Sequence, residues 1–419
     1  MQAPYVDEYT SHLVGAPKRR HWPLILLAGV GMEAAIAGVA FIVMIISMVC
    51  DTAEPRSLEK CAPWFFHLGR FFCQQSDTCP CYGVTMTLAE DVPLNPTIDR
   101  ASLTDGRARF REIVAALNAD HGANFPDART TDAFFTTLND EPAGTGASVD
   151  VAARLDGVNV IAVPGFLTEC VAFLANCLTD GLAHLESLGA RTSIAPVAGR
   201  GGCVENARRL RDHVLAQQRH SGDALTILVP MSKGAADTLV MLALYPETIK
   251  RLDAVVSLVG CVCGSPLHRF APDWLKWVER VLPMPTCARF GGAAVRDLSP
   301  ETRSSFLNGF YMPGDLRAYS LGAAVDEQEM SVGMMPSYRA LSAIDPLNDG
   351  QMLLGDQILP GSTFLGALNC DHIATAMPFN RNPGAVARFV TRRLLNRNAF
   401  PREIMLEAMV RQVMEDLRA

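Results

Sequence analysis

One serine stands at an abrupt change from an apolar run to a helical pattern. Residues 227–237 read ILVPMSKGAAD, so Ser232 follows a strand-like segment and precedes Gly234 by two positions. An alcohol is a weak nucleophile unless a neighbouring base removes its proton, and that base needs an orienting acid. At a tight strand-to-helix turn, the next backbone N–H lies at a helix N-terminus, where developing negative charge is stabilised. Ser232 is therefore the candidate nucleophile, and an ordinary β–α loop is the alternative.

The base and the acid are expected after the serine, in the order acid and then histidine, at the ends of later strands. Of the nine histidines, only His268 and His372 follow Ser232. His372 comes directly after the strand-like segment STFLGALNCD, whereas His268 lies in a stretch where the strand signals pause. We therefore predict that His372 is the base, with an ordinary loop histidine as the alternative.

The acid has several candidates in the loops before His372. Asp349 lies in the loop PLNDG, and Asp345 lies just before it. Asp356, in LLGDQILPG, is the rival acid, and its alternative role is a helix or turn cap. Asp371 directly precedes His372, and we expect it to brace the loop instead of orienting the ring.

An oxyanion site requires a second N–H donor besides the one on Lys233. The segment VPGF, residues 163–166, ends the first strong strand, and Gly165 would let the backbone approach a substrate carbonyl. The N–H of Phe166 is the predicted second donor, and an ordinary Pro-Gly turn is the alternative. The Lys233 side chain is expected to be structural or exposed. This chemistry requires no metal and no organic cofactor.

These residues need a scaffold, and strand and helix patterns alternate from about residue 151 onward. The apolar runs are nearly continuous, which is typical of parallel strands covered on both faces. The predicted strands lie in 158–166, 191–197, 224–230, 252–262, 318–325 and 362–370, and predicted helices cover 167–189, 203–218, 234–246 and 386–397. The sequence thus predicts an α/β fold with helices on both faces of a mostly parallel sheet.

The alternation pauses between residues 264 and 316. This stretch contains Trp274, Trp277, several prolines and the helical segment DWLKWVERVL. We predict a helical cap insertion over the carboxyl edge of the sheet, where open α/β folds bind ligands. Its tryptophans either line an apolar substrate site or pack the insertion onto the body.

Residues 158 to about 397 resemble the α/β-hydrolase superfamily, in particular lipase-like members with a G-H-S-K-G-G elbow. The matching segments are VPGF, PMSKGAAD, VGCVCGSPL, NDGQ and CDH. In similar bacterial lipases an Asn-Asp-Gly motif supplies the acid some two dozen residues before the histidine, so the resemblance favours Asp349 over Asp356. The chain departs from the motif at Pro230, Met231 and Ala235, which replace glycine, histidine and glycine.

The N-terminal part has a different character. Residues 23–49 form an apolar stretch long enough to cross a bilayer, interrupted by Glu33, and Lys18, Arg19 and Arg20 precede it. We predict a transmembrane signal anchor with a cytoplasmic N-terminus, so that the catalytic domain lies on the periplasmic or extracellular side. A cleaved signal peptide and a buried hairpin or core helix are the alternatives, and Glu33 is costly in hydrocarbon.

A cluster of cysteines follows this stretch. Disulfides are its predicted state in an oxidising compartment, and four unrelated thiols are the alternative. The cluster comprises Cys61, Cys73, Cys79 and Cys81, whose spacing is not that of a zinc ribbon. The predicted domains are a tail (1–22), the transmembrane helix (23–49), a juxtamembrane segment (50–150), the hydrolase domain (151–397) and a C-terminal amphipathic helix (398–419).

The combined hypothesis is a membrane-anchored serine hydrolase that cleaves a carboxylic ester of a small, lipid-like molecule. The formal net charge of −7 and the dispersed basic residues argue against a nucleic-acid partner. The alternative is a catalytically silent α/β-hydrolase-like binding or assembly protein, which the altered elbow motivates.

Overall fold

The computed structural model describes residues 94–172, 174–217, 225–270 and 292–418. Its strands form one parallel sheet in the order β1-β7-β6-β5-β4-β2-β3. The strands are Thr104–Asp105 (β1), Val158–Val163 (β2), Arg191–Ile194 (β3), Leu225–Pro230 (β4), Ala254–Leu258 (β5), Arg317–Ala323 (β6) and Thr363–Leu368 (β7). The α-helices in the described ranges are Arg107–His121 (α1), Thr131–Phe134 (α2), Thr179–Ser187 (α3), Cys203–Ala216 (α4), Lys233–Leu244 (α5), Leu267–Phe270 (α6), Ala293–Asp297 (α7), Pro300–Leu307 (α8), Met335–Ser342 (α9), Ala385–Leu394 (α10) and Arg402–Arg418 (α11).

The order of strand addition reverses between β2 and β4. The chain goes from β2 outward to β3, and then returns to the other side of β2 for β4, after which β5, β6 and β7 follow in sequence. In open α/β sheets, ligands bind in the crevice at the carboxyl ends of the strands where this order reverses. The turns that follow β2 and β4 therefore lie at the expected place for a site.

The core lies on both faces of the sheet because alternate residues of each strand point to opposite sides. In β2, Val158 and Val160 belong to one apolar cluster, whereas Ile161 and Val163 belong to the other. Helices α1, α3 and α11 contribute to the first cluster, and helices α4 and α5 contribute to the second. This double coverage explains the continuous apolar runs and confirms the predicted parallel α/β sheet.

The sheet begins earlier than the predicted boundary at residue 151. Strand β1 is two residues long and pairs with β7, where Thr104 lies opposite Thr363. Helix α1 follows it and buries Phe110 and Leu117 in the core. Residues 94–150 therefore belong to the same unit as the rest of the sheet, and describing them as a juxtamembrane segment is wrong for this part.

The helix predicted over 167–189 forms only in its second half. A short 3-10 turn covers Glu169–Val171, and α3 starts at Thr179. Leu178 has a φ of 58°, and its N–H donates to the Ala376 carbonyl at 2.7 Å. This tertiary hydrogen bond holds Leu178 in a left-handed conformation within the segment that has helical periodicity. The helix is therefore interrupted there.

The C-terminal helix is buried instead of lying with one face in solvent. Every residue of α11 from Arg402 to Met414 is buried, and the helix packs against α1 and α3. Its polar side chains are satisfied internally, as when Arg402 donates to Asp180 at 2.6 Å. The predicted amphipathic pattern therefore reflects internal ion pairs as well as apolar packing.

Several predictions concern residues outside the described ranges. They are the transmembrane segment 23–49, the cysteine cluster 61–81 and the part of the cap with Trp274 and Trp277. The described part of the cap contains α6, α7 and α8. Among the helices of the described residues, none is both long and apolar enough to span a bilayer. Five cysteines within these ranges, Cys177, Cys203, Cys261, Cys263 and Cys370, are buried free thiols.

Candidate active site

Ser232 lies in a strained turn between β4 and α5. Its φ is 54° and its ψ is −123°, a conformation that is costly for a residue with a Cβ. Two backbone hydrogen bonds connect it to the end of β5 and the loop after it: its N–H donates to Leu258 at 3.0 Å, and its carbonyl accepts from Cys261 at 2.8 Å. The strand end and the following loop of β5 therefore fix the turn.

The turn closes because its neighbours lack side chains. A Cβ on Gly234 would collide with the carbonyl oxygen of Val163, and a Cβ on Gly165 would lie 2.8 Å from the Cβ of Ser232. The same Gly165 position is 2.8 Å from the sulfur of Met231. Glycines at 165 and 234 thus permit the loop after β2 and the first turn of α5 to pack against the serine.

Pro230, at the position of the first glycine in the G-H-S-K-G-G elbow that the sequence resembles, precedes a turn that still forms. The ladder between β4 and β5 includes Leu228 and resumes at Met231, opposite Leu258. Proline has no N–H to donate, which explains the gap at this position. The hydrogen bond from Ser232 to Leu258 restores the register, so the loss is confined to the last two residues of β4, Val229 and Pro230.

His372 lies between Ser232 and Asp349. Its Nε2 is 2.9 Å from Oγ of Ser232, and its Nδ1 is 2.7 Å from Oδ2 of Asp349. All three side chains are buried, with Ser232 8%, His372 6% and Asp349 0% exposed. Residues from three separate loops, after β4, before β7 and after β7, are thereby joined in one hydrogen-bonded row.

Asp349 is held by its own loop, which leaves one oxygen for the histidine. Its Oδ1 accepts N–H groups from Gln351 at 2.8 Å and Met352 at 2.7 Å. Its carbonyl accepts from the N–H of His372 at 2.9 Å, so both the backbone and the side chain of Asp349 contact His372. Gly350 has a φ of 85°, a conformation that glycine adopts without strain, and this allows the turn.

The other aspartates lie elsewhere. The carboxylate of Asp356 accepts from Asn95 at 2.9 Å, and burial raises its pKa to about 7. Asp371 braces the histidine loop, since its Oδ1 accepts N–H groups from Ile373 at 3.1 Å and Ala374 at 2.9 Å. Burial also raises the pKa of Asp371. Of these carboxylates, Asp349 is the one that contacts His372.

Two backbone donors flank the serine. The N–H groups of Phe166 and Lys233 have no hydrogen-bond acceptor among the residues that the structure describes. The loop of Phe166 is stabilised by Thr168, whose hydroxyl donates to the Gly165 carbonyl at 3.0 Å. Free donors beside a buried serine are what an oxyanion requires.

The side chain of Lys233 points away from solvent. It is fully buried, and its Nζ donates to both carboxylate oxygens of Asp237, at 2.7 and 2.8 Å. Asn206 donates to the same carboxylate at 2.8 Å, which connects α5 to α4. The exposed alternative for Lys233 is wrong, and Asp237 is a residue that the sequence analysis missed. Its signal was the spacing of four residues from Lys233 on a helix.

A solved carboxyl esterase structure resembles this chain over most of its length. The crystal structure of the metagenomic carboxyl esterase MGS0156 has 36% sequence identity to this chain and a TM-score of 0.71, and the match covers 75% of this chain and 94% of that one. The chain belongs to the carboxyl esterases of the α/β-hydrolase family. It is an ester-hydrolysing serine hydrolase.

More distant structures resemble this esterase in part. The mature lipase BlEst2 of Bacillus licheniformis has 19% identity, a TM-score of 0.42 and coverage of 54% of this chain and 87% of its own. EstA of Clostridium botulinum has 13% identity, a TM-score of 0.41 and coverage of 65% and 92%. No protein-family model and no curated protein sequence matches the esterase.

The described part of the esterase also contains one group of side chains with metal-ligating atoms. His121, His184 and Glu407 bring these atoms within 4.8 Å of one another. They come from α1, α3 and α11, and none of them belongs to the row of Ser232. The sequence analysis did not identify them, because the three residues lie in distant segments without a ligand spacing.

Proposed function

We propose that this protein hydrolyses carboxylic esters with a catalytic triad of Ser232, His372 and Asp349. The observation that supports the proposal is the unbroken row of hydrogen-bond distances, 2.9 Å from Ser232 to His372 and 2.7 Å from His372 to Asp349. A base that contacts both the nucleophile and an orienting carboxylate matches the general requirement for serine activation.

In the first half of the reaction, Oγ of Ser232 attacks the carbonyl carbon while Nε2 of His372 takes its proton. The tetrahedral intermediate collapses, the ester C–O bond breaks, and His372 donates the proton to the leaving alcohol. Asp349 stabilises the imidazolium through Nδ1 and stays ionised throughout. The products of this half are the alcohol and an acyl group on Ser232.

In the second half, His372 removes a proton from water, which attacks the acyl carbon. The bond to Oγ breaks, the serine regains its proton from His372, and a carboxylic acid leaves. The unpaired N–H groups of Phe166 and Lys233 are the proposed oxyanion donors in both halves. The strained φ of 54° at Ser232 helps to present Oγ between these donors and the base.

A fluorophosphonate probe tests the nucleophile. Wild-type protein should be labelled, and Ser232→Ala should not. Ser193→Ala is a matched control, because Ser193 lies 3.1 Å from Nε2 of His213 and no carboxylate of the described residues lies within hydrogen-bond distance of that ring. Labelling that survives in Ser232→Ala, or a folded wild type that is not labelled, would refute the assignment.

Hydrolysis of p-nitrophenyl esters of increasing acyl length tests the chemistry and its substrate. A burst of p-nitrophenol that is stoichiometric with enzyme, followed by slower turnover, is expected if the acyl-enzyme accumulates. Turnover on the esters but not on the matching amides would assign the activity to carboxylic esters. Equal turnover on both would favour a peptidase-like or amidase activity.

We also propose that residues 23–49 anchor the enzyme in a membrane, with residues 94–418 on the non-cytoplasmic side. The apolar composition of this stretch and the basic residues before it support the proposal. Extraction of membranes at alkaline pH should leave the full chain in the pellet and release a chain that starts at residue 76. Release of the full chain under the same conditions would refute the anchor.

A further inference from the structure

A second cluster of ionisable side chains joins three helices on one face of the sheet. His121 ends α1, His184 lies in α3, and Glu407 lies in α11. The Nε2 atoms of His121 and His184 are 2.8 and 2.6 Å from the same oxygen, Oε2 of Glu407. Two imidazoles therefore converge on a single carboxylate oxygen.

The hydrogen-bond partners of His121 call for one further proton or a cation in this cluster. Its Nδ1 lies 2.9 Å from Oδ2 of Asp120, and its Nε2 lies 2.8 Å from Glu407. A neutral imidazole has one N–H donor, so one of these contacts would place a lone pair against a carboxylate oxygen. Either a second proton on the ring or a cation at Nε2 resolves the conflict.

The surroundings hold the carboxylate in place for such a cation. Glu407 is completely buried, and its other oxygen, Oε1, accepts from Nε of Arg411 at 2.8 Å. Arg411 is itself fixed by the carbonyl of Asp150 at 2.6 Å. Oε2 is thereby directed at the two imidazoles. The ring of Phe125 packs edge-on against both His121 and His184, with centroid distances of 5.9 and 4.9 Å.

We propose that His121, His184 and Glu407 bind one divalent transition metal ion, with Zn²⁺ the best match. Two imidazole nitrogens and one carboxylate oxygen are a ligand set of four-coordinate zinc sites that keep one position for water. The rings are 16% and 11% exposed, which leaves water access to that position. Donors around one tetrahedral ion are about 3.3 Å apart, so each ring retreats by about 0.5 Å when the ion enters.

Asp120 acts as a positioning residue for this site. By accepting a hydrogen bond from Nδ1 of His121 it keeps the lone pair of Nε2 directed at the ion, as carboxylates behind zinc-bound histidines commonly do. The ion would connect α1, α3 and α11 and so stabilise their packing. The ester chemistry proposed for Ser232 does not depend on it.

The test is a Zn²⁺ titration of the full chain after treatment with a chelator, in competition with a chromophoric indicator. Wild type should bind one equivalent and show a higher Tm with zinc than without it. His121→Ala and His184→Ala should each bind at least about 100-fold more weakly. Asp120→Asn should weaken binding about 10-fold. His213→Ala, which alters a histidine outside the cluster, should bind like wild type.

Two results would overturn the proposal. One is a folded wild type that binds no stoichiometric Zn²⁺, which would assign the charge to a protonated His121. The other is unchanged binding in both histidine variants, which would place the ion elsewhere. Asp120 is 54% exposed, so Asp120→Asn keeps the test decisive even where a histidine variant fails to fold. Unaltered affinity in that variant would contradict the positioning role.

Discussion

Two polar clusters lie at the first turns of α5, one around Ser232 and one around the Lys233 side chain. They differ in backbone strain and in whether their polar groups are paired. At Ser232 the backbone is strained, with a φ of 54°, and the N–H groups of Phe166 and Lys233 lack acceptors among the described residues. At the Lys233 side chain, Nζ meets both oxygens of Asp237, and Asn206 adds a further hydrogen bond. The proposed reactive cluster leaves two N–H donors without an acceptor, whereas the structural cluster satisfies its charges internally.

This contrast explains why Ser232 differs from the other serines of the described residues in having a strained backbone. The family motif requires a tight turn, and a tight turn stores strain that the surroundings must compensate. The buried Lys233–Asp237 pair connects the first turn of α5 to α4 through Asn206. The side chain of Asn206 also accepts from the N–H of Ala198 at 2.9 Å and donates to the carbonyl of Ala198 at 2.8 Å. We infer that the satisfied cluster supports the strained one, and the following experiments test that relation.

The largest expected effect is on turnover, in Asp349→Asn. The amide can no longer stabilise the imidazolium and favours the wrong tautomer of His372, so kcat should fall about 10⁴-fold with little change in stability. Asp356→Asn is the matched control, because Asp356 contacts Asn95 and not His372. Kinetics with a p-nitrophenyl ester measure both. Equal losses in the two variants would contradict the assignment of the acid.

Breaking the structural cluster should lower the free energy of unfolding more than it lowers the catalytic rate. Lys233→Met leaves Asp237 as an unpaired buried charge, so the free energy of unfolding should drop by about 3–5 kcal/mol. Urea denaturation measures this. The double variant Lys233→Met with Asp237→Leu should recover much of the loss, because no charge remains to be paired.

A surface ion pair supplies the control for that experiment. Arg339 and Glu327 lie 2.8 Å apart and are 62% and 53% exposed, so Arg339→Met should cost under about 1 kcal/mol. If Lys233→Met costs no more than Arg339→Met, the buried pair does not support the turn.

Gly165→Ala should disturb the contact between the two loops of the reactive cluster. The new Cβ would lie 2.8 Å from both the Cβ of Ser232 and the sulfur of Met231, so the serine must shift. A displacement of this kind should lower kcat/KM about 100-fold. Gly309→Ala is the control, since a Cβ there meets no heavy atom within 4 Å. Full activity in Gly165→Ala would show that the turn tolerates movement.

The last effect concerns pH and stability at Asp356. Burial raises its pKa to about 7, above the ordinary value of 3.8. The folded chain therefore holds this proton at pH values where the unfolded chain has released it, and the stabilisation is complete below about pH 4 and lost as the pH rises to about 7. Wild type should lose about 3 kcal/mol relative to Asp356→Asn over that window.

Urea midpoints of the two proteins at pH 4.5 and pH 7 measure this difference. The variant keeps an oxygen that accepts the hydrogen bond from Asn95 and has no proton to lose. Parallel stability curves for the two proteins would mean that Asp356 is ionised in the folded state throughout the range.

The local sequence pattern was sufficient to predict the strands and helices that have strong apolar periodicity. The six strands predicted from apolar runs are present, and so are the helices that follow β3 and β4. Strand β1 was missed because two residues, Thr104 and Asp105, carry no periodic signal. The first half of the helix predicted over 167–189 was wrong because Leu178 takes a left-handed conformation in contact with Ala376.

The sequence by itself determined the fold class and the order of Ser232, Asp349 and His372 along the chain. It did so because buried parallel strands leave long apolar runs, and because a tight turn demands glycine at its neighbours. The tertiary structure alone decided which carboxylate contacts His372, and that the Lys233 side chain pairs with Asp237 inside the core. The same holds for the meeting of His121, His184 and Glu407. The contacts of His372 and of the histidine–glutamate cluster join residues from distant segments, whose distances only packing creates. Lys233 and Asp237 are four residues apart on one helix, and what packing decides there is the burial of the pair.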